Sequence, residues 1–316
     1  ILSSQPYKLK DGVLDFWIPT YLFIKREDYT LYGSNNQYIP NINNEFFDLL
    51  KKHPGEFKVK AYSVDGVRLR FFNQYRKVIG QNTDSTIIKG DSFVETIKPF
   101  FFFYAKQLND YAKHTKKIDH RETLRFRDVL AKAKDPEKTF FEDLPEALGY
   151  DKENGEQFID DYCYVIQRAI RELRKCYSQL IDRIEAHIVE SLGLSSYEYP
   201  AYVQEMQARL SKVKMHLLTG RQKEFYQHFM AQFDKREEWF QSACYAVLGH
   251  PLDKLRDEEE PKLLDDFVYL YRECEQQAVV SESLNYKIDD NEQKRSEQLE
   301  SKIDKILTGN TNLDVY

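Results

Sequence analysis

From Glu156 to Leu192 the sequence reads EQFIDDYCYVIQRAIRELRKCYSQLIDRIEAHIVESL. Phe158, Ile159, Tyr162, Val165, Ile166, Ala169, Ile170, Leu173, Tyr177, Leu180, Ile181, Ile184 and Ile188 recur at intervals of three and four residues. That spacing predicts a single amphipathic helix of about ten turns. An apolar stripe so long must be covered by partner helices, so this stretch sets the class: mainly α, with a multi-helix bundle. Gly193 supplies the stop.

Working outward, the same periodicity predicts helices over Tyr199–Leu218 and Arg221–Leu248, separated by Thr219–Gly220. Gly249–His250–Pro251 breaks the pattern, and Pro261 starts another helix through Leu263, Leu264, Phe267, Leu270 and Tyr271. Glu258, Glu259, Glu260, Asp265 and Asp266 around Pro261 read as a solvated helix start favoured by the helix dipole. Upstream, helices are expected from Ser92 to about Leu108 and from Arg121 to Ala133, with a further turn at Asp135–Pro136–Glu137 and a stop at Gly149. The bundle is therefore assigned to residues 91–280. Residues 281–316 thin to Asn, Asp, Glu, Gln and Lys, and read as a polar linker and a terminal helix carrying Leu299, Ile303, Ile306 and Leu307.

Residues 1–80 differ in kind. A helix is expected from Asp11 to about Glu27 despite Pro19, then a hairpin of Tyr29–Tyr32 and Gln37–Pro40 around Gly33–Asn36. Asn43 or Asn44 caps a helix carrying Phe46, Phe47, Leu49 and Leu50. Phe57–Tyr62 alternates apolar and polar residues as a half-buried strand does, and helical spacing returns from Val67 to Ile79. Helix, hairpin, helix and strand is the order of a small α+β, winged-helix-like module. Gly80–Asp91, polar and turn-rich, is the expected boundary.

Composition narrows the function classes. The formal net charge of −6 argues against a chain that is a nucleic-acid glove throughout. Cys163, Cys176, Cys244 and Cys274 lie too far apart for a Cys-x-x-Cys site and suggest a reducing, cytoplasmic compartment. The most apolar run, Phe100–Tyr104, is far short of a bilayer span and reads as a buried helix, so no membrane partner is expected. Neither phosphate-binding glycine loop occurs, nor a Gly-x-Ser-x-Gly elbow, nor His-Glu-x-x-His. No cofactor or metal is expected within the chain. A start at Ile1 rather than Met reads as part of something longer.

Two constellations carry specific chemistry. Lys58, Lys60, Arg68, Arg70, Arg76 and Lys77 cluster around the expected strand and the following helix, with Tyr62, Phe71 and Tyr75 among them. Such charges can contact phosphate, which makes DNA or RNA a candidate partner. Arg221 and His228, seven residues apart on one expected helix, resemble the Arg-x-x-x-x-x-x-His motif of the HEPN ribonucleases, with Gln222 as the polar residue that motif favours. Arg209 and His216 repeat the spacing, but with Leu210 in that place. The resemblance implies metal-independent RNA cleavage, the histidine assisting attack by the 2′-hydroxyl and the arginine stabilising the phosphorane.

Three phrases support a broader resemblance. They are Asp11-Gly-Val-Leu with Leu31-Tyr-Gly and Tyr38-Ile-Pro; Arg125-Phe-Arg-Asp-Val-Leu-Ala-Lys-Ala-Lys-Asp-Pro-Glu with Phe141-Glu-Asp-Leu-Pro-Glu-Ala-Leu-Gly; and Trp239 with Leu248-Gly-His-Pro-Leu and Arg256-Asp. Together they resemble the C-terminal helical region of large bacterial ATP-binding proteins, including P-loop ATPases of anti-phage defence systems. The resemblance implies a non-catalytic regulatory or interaction region, with ATP bound elsewhere in the longer protein. Its partners would be the other domains of that protein, a second copy of itself, or nucleic acid.

Overall fold

The computed structural model describes residues 7–26, 28–39, 42–61, 64, 66–81, 90–150, 155–283 and 290–307. The chain is mainly helical with one small antiparallel sheet, and it divides into two compact units, Ile1–Cys176 and Tyr177–Tyr316. The expected boundary at Gly80–Asp91 falls largely outside the described residues.

The first unit opens with helix α1 (Asp11–Ile24), strands β1 (Tyr29–Tyr32) and β2 (Tyr38–Ile39), helix α2 (Asn44–Lys52), strand β3 (Lys58–Ala61) and helix α3 (Gly66–Val78). The turn between β1 and β2 places Asn36 at φ +54°, a conformation asparagine tolerates better than most residues. Asn43 caps α2 by accepting the Phe46 N–H at 2.9 Å. Sheet order is β2-β1-β3, with Leu31 opposite Ile39 on one side and Val59 on the other. Central β1 is buried along its whole length, and Leu22, Tyr29, Leu31 and Phe46 form a small core joined by Ile39, Phe47, Leu50 and Phe57. Edge strand β3 corrects the expected half-burial: every residue in it is exposed. Alternation gives two faces, but among the described residues only Phe57, just before the strand, packs into the core, while Val59 stays exposed; Tyr62 lies outside the described residues.

Helix α4 (Gly90–Phe102) runs into a π-helical segment, Phe103–Gln107, followed by α5 (Asp110–His114) and α6 (Arg121–Lys132). A second π segment, Thr139–Asp143, lies between the short helices α7 (Pro136–Lys138) and α8 (Leu144–Ala147). A proline lies close to each: Pro99 four residues before the first, Pro145 two residues after the second. In the first π segment the ladder widens to i→i+5, and the Leu108 N–H reaches Phe103 O at 3.0 Å. Phe100 and Phe103 are buried while Phe102 is exposed, so the Phe100–Tyr104 run is amphipathic rather than wholly buried.

Helix α9 (Gly155–Leu192) is continuous across the division between units. Its stripe is buried as the spacing requires, with Tyr162, Ile166 and Leu180 at 0% exposure. Gly193, at φ +57°, ends it, and the Leu194 N–H reaches back to Val189 O. In the first unit α9 supplies Tyr162 to an aromatic core with Phe71, Tyr75 and Phe140, where Tyr162 and Tyr75 share a 2.8 Å hydroxyl contact and Tyr75 donates to Phe140 O at 2.6 Å.

The second unit continues with α10 (Ala201–Leu210), α11 (Gly220–Met230), α12 (Arg236–Leu248), α13 (Glu260–Ser283) and α14 (Asp290–Leu307). Two expected helices are corrected. The first stops at Leu210 instead of Leu218, and Arg221–Leu248 is two helices broken at Ala231–Lys235, where Ala231 is extended. Phe229, Trp239, Phe267 and Tyr271 meet edge-to-face in the core. Glu260 is a further correction: far from solvated, it is 4% exposed and takes a two-pronged bond from Arg183, Nε at 3.1 Å and Nη2 at 3.2 Å.

Candidate functional site

The basic residues around β3 and α3 are largely spent inside their own unit. Lys60 Nζ lies 2.9 Å from Glu137, and Arg68 reaches Glu137 and Glu142 at 3.0 Å each. Glu137 is itself buried and also faces the Tyr32 hydroxyl at 3.5 Å, so it ties β1, β3 and α3 to α7. Arg70 lies 3.6 Å from Glu156 and 3.7 Å from Asp160. Arg76 is buried beneath its own helix with its guanidinium over the Phe72 ring. Lys58 bonds Asn36 at 3.0 Å, and Lys77 is exposed. The cluster is held together by carboxylates more than it is presented to solvent.

Arg221 and His228 both lie on α11, about 10 Å apart along its axis. Arg221 Nη2 pairs with Asp266 of α13 at 2.8 Å, whereas His228 Nδ1 is 3.1 Å from Ser242 Oγ of α12, beside Tyr245. Each is committed to a different neighbour. Arg209 and His216 do not share a helix, since α10 ends between them. Among the described residues no group of three or more His, Cys, Asp or Glu is placed to hold a metal ion. The four cysteines are unbridged thiols and buried, and burial, followed by the nearby Glu259 and Asp253, pushes the Cys244 thiol up to about 12. Such a thiol is a packing group rather than a nucleophile.

A cleft of about 510 Å³ lies in the first unit, where the end of α3, the α4–π junction and the first half of α9 meet. Its apolar wall comes from Val78, Pro99, Phe100, Phe102, Phe103 and Ile170, and its polar groups are Gln107, Gln167, Arg171 and Arg174. The lining contains no carboxylate. The π segment shapes the site at both ends. Arg174 Nη2 donates to Oε1 of Gln107, its last residue, at 3.1 Å, and the guanidinium lies 5.4 Å from the ring centre of Phe103, its first. Arg171 Nε donates only to its own helix, to Gln167 O at 3.2 Å. Among the described residues neither arginine has an ion-pair partner. Phe102 stands 53% exposed at the rim.

The other notable surface is α1. Phe16 is 73% exposed, Ile24 66%, and Val13, Trp17, Ile18, Tyr21 and Phe23 are all exposed, with Trp17 stacked on Tyr21 at 5.2 Å; only Leu22 is buried. On α14, Leu299 and Ile303 are also exposed. No described helix is long and apolar enough to cross a membrane. Glu172 illustrates a polar site that is structural: it accepts from the Asp119 and His120 N–H groups and the Thr123 hydroxyl, satisfying the start of α6. Burial pushes its carboxyl up, but these bonds outweigh burial and hold its pKa below that of an ordinary glutamate.

Sequence reasoning singled out the charges on α3 and α11 and missed the cleft. The cleft is assembled from three separated stretches, and its only local signal is Arg171 and Arg174, one turn apart on the otherwise well-read α9. Comparison with known protein families, curated proteins and solved structures finds no match.

Proposed function

We propose that this chain is a non-catalytic regulatory and interaction region of a longer ATP-binding protein, of the bacterial defence type its sequence resembles, and that α1 docks it onto the other domains of that protein. The observation that carries the reading is the exposure of seven large apolar side chains on one fourteen-residue helix. A surface helix normally turns its apolar stripe inward and its charges outward. A contiguous exposed patch of this kind marks a surface that meets another. The module of residues 1–80 is read as winged-helix-like, used here for protein docking. The engagement of Lys60, Arg68 and Arg70 by carboxylates favours that use over phosphate contact.

Placing a photo-crosslinking benzoylphenylalanine at position 16 of the longer protein tests the reading. Crosslinks to its ATP-binding domains are expected; irradiation that leaves position 16 uncrosslinked would remove it.

A further inference from the structure

We propose that the cleft between α4, its π-helical end and α9 is a binding site for an aromatic phosphate of about mononucleotide size. Its volume lies in the range of small-molecule sites, and such sites combine an apolar wall with a few fixed polar groups. The charged groups here are of one sign. Arg171 and Arg174 stand one turn apart on α9 and therefore share a face. A guanidinium carries five N–H donors in a fork that matches an oxyanion. Arg174 spends one on Gln107, and Arg171 spends one on its own helix. The rest are available in a lining that offers no carboxylate to neutralise them.

Arg174 is also preorganised. The Gln107 bond and the Phe103 ring fix its head, so little side-chain freedom remains to be lost on binding. The apolar half of the ligand is specified by Phe102, whose half-exposed ring lines the same cleft as these charges. A planar ring can stack there while its phosphate meets the two guanidiniums. Phe103 and Gln107, the two ends of the π segment, both meet Arg174, and π-helical turns recur at functional sites.

Calorimetric titration of the chain with 1-naphthyl phosphate, adenosine monophosphate and inorganic phosphate tests the proposal. Naphthyl phosphate is expected to bind with one-to-one stoichiometry, at least about tenfold more tightly than inorganic phosphate. Arg171→Gln and Phe102→Ala, both at exposed positions, should each weaken it about tenfold without moving the thermal midpoint, whereas Trp17→Ser should leave it unchanged. Comparable binding of adenosine monophosphate assigns the site to nucleotides; its failure beside naphthyl phosphate binding assigns a smaller aromatic phosphate. The proposal is overturned if naphthyl phosphate binds no better than inorganic phosphate, or if Arg171→Gln leaves its affinity intact.

Discussion

Helices α1 and α9 begin from the same sequence signal and end in opposite states. Both carry dense apolar residues at helical spacing. On α9 the stripe is covered, with Ile166 and Leu180 fully buried. On α1 Phe16, Trp17, Phe23 and Ile24 face outward, and only Leu22 joins the small core around β1. The difference lies in what else the helix carries. Arg, Glu, Asp and Gln fill the opposite face of α9 and orient it, whereas α1 is apolar almost all round, so no rotation of it could hide every side chain. Periodicity states which residues want cover; it does not state whether this chain supplies it.

The sharpest way to break the comparison is to truncate one side chain on each helix and measure urea unfolding. Leu180→Ala should cost about 2–5 kcal/mol, the usual range for a buried leucine, while Trp17→Ser should stay within about 0.5 kcal/mol. Equal costs would mean that α1 is as much a part of the core as α9.

A smaller effect is expected from Glu137→Ala, about 1–3 kcal/mol, because the Tyr32 hydroxyl and two partly solvated cations lose their shared acceptor. Smaller again is the pH effect at Glu172. Its folded pKa is lowered, so its bonds contribute fully above the unfolded value and are lost as pH falls through the folded one. Glu172→Gln should flatten the acid limb of the stability profile and leave stability changed by about 1 kcal/mol at neutral pH. Smallest is Arg221→Ala, where loss of an exposed pair with Asp266 should cost about 0–1 kcal/mol in the same assay.

These contrasts also show what was legible in the sequence. The extent of α9 was readable to within a residue, because a long 3.6-residue period leaves little choice. The break at Ala231–Lys235 was not, since Phe225, Phe229, Trp239 and Phe240 keep apolar positions coming across it and neither glycine nor proline marks it. The hairpin and the Asn43 cap were readable from turn and cap chemistry; the exposure of β3 was not, because alternation is silent about cover. The basic residues of β3 and α3 were found as charges, but their destination on Glu137, Glu142, Glu156 and Asp160 depends on elements some seventy to ninety positions away in the chain. The cleft was hidden for the same reason: its arginines are plain on α9, but their aromatic wall arrives from α4.

The claim that α1 is a docking surface can be measured directly, because all four native cysteines are buried. A Phe16→Cys variant therefore introduces one accessible thiol, whose maleimide labelling can be followed by peptide mass. Labelling should be fast in this chain alone and at least about tenfold slower within the longer protein, as expected when more than 1.4 kcal/mol of interaction covers the site. Equal rates in the two would show that nothing covers α1 and would contradict the account.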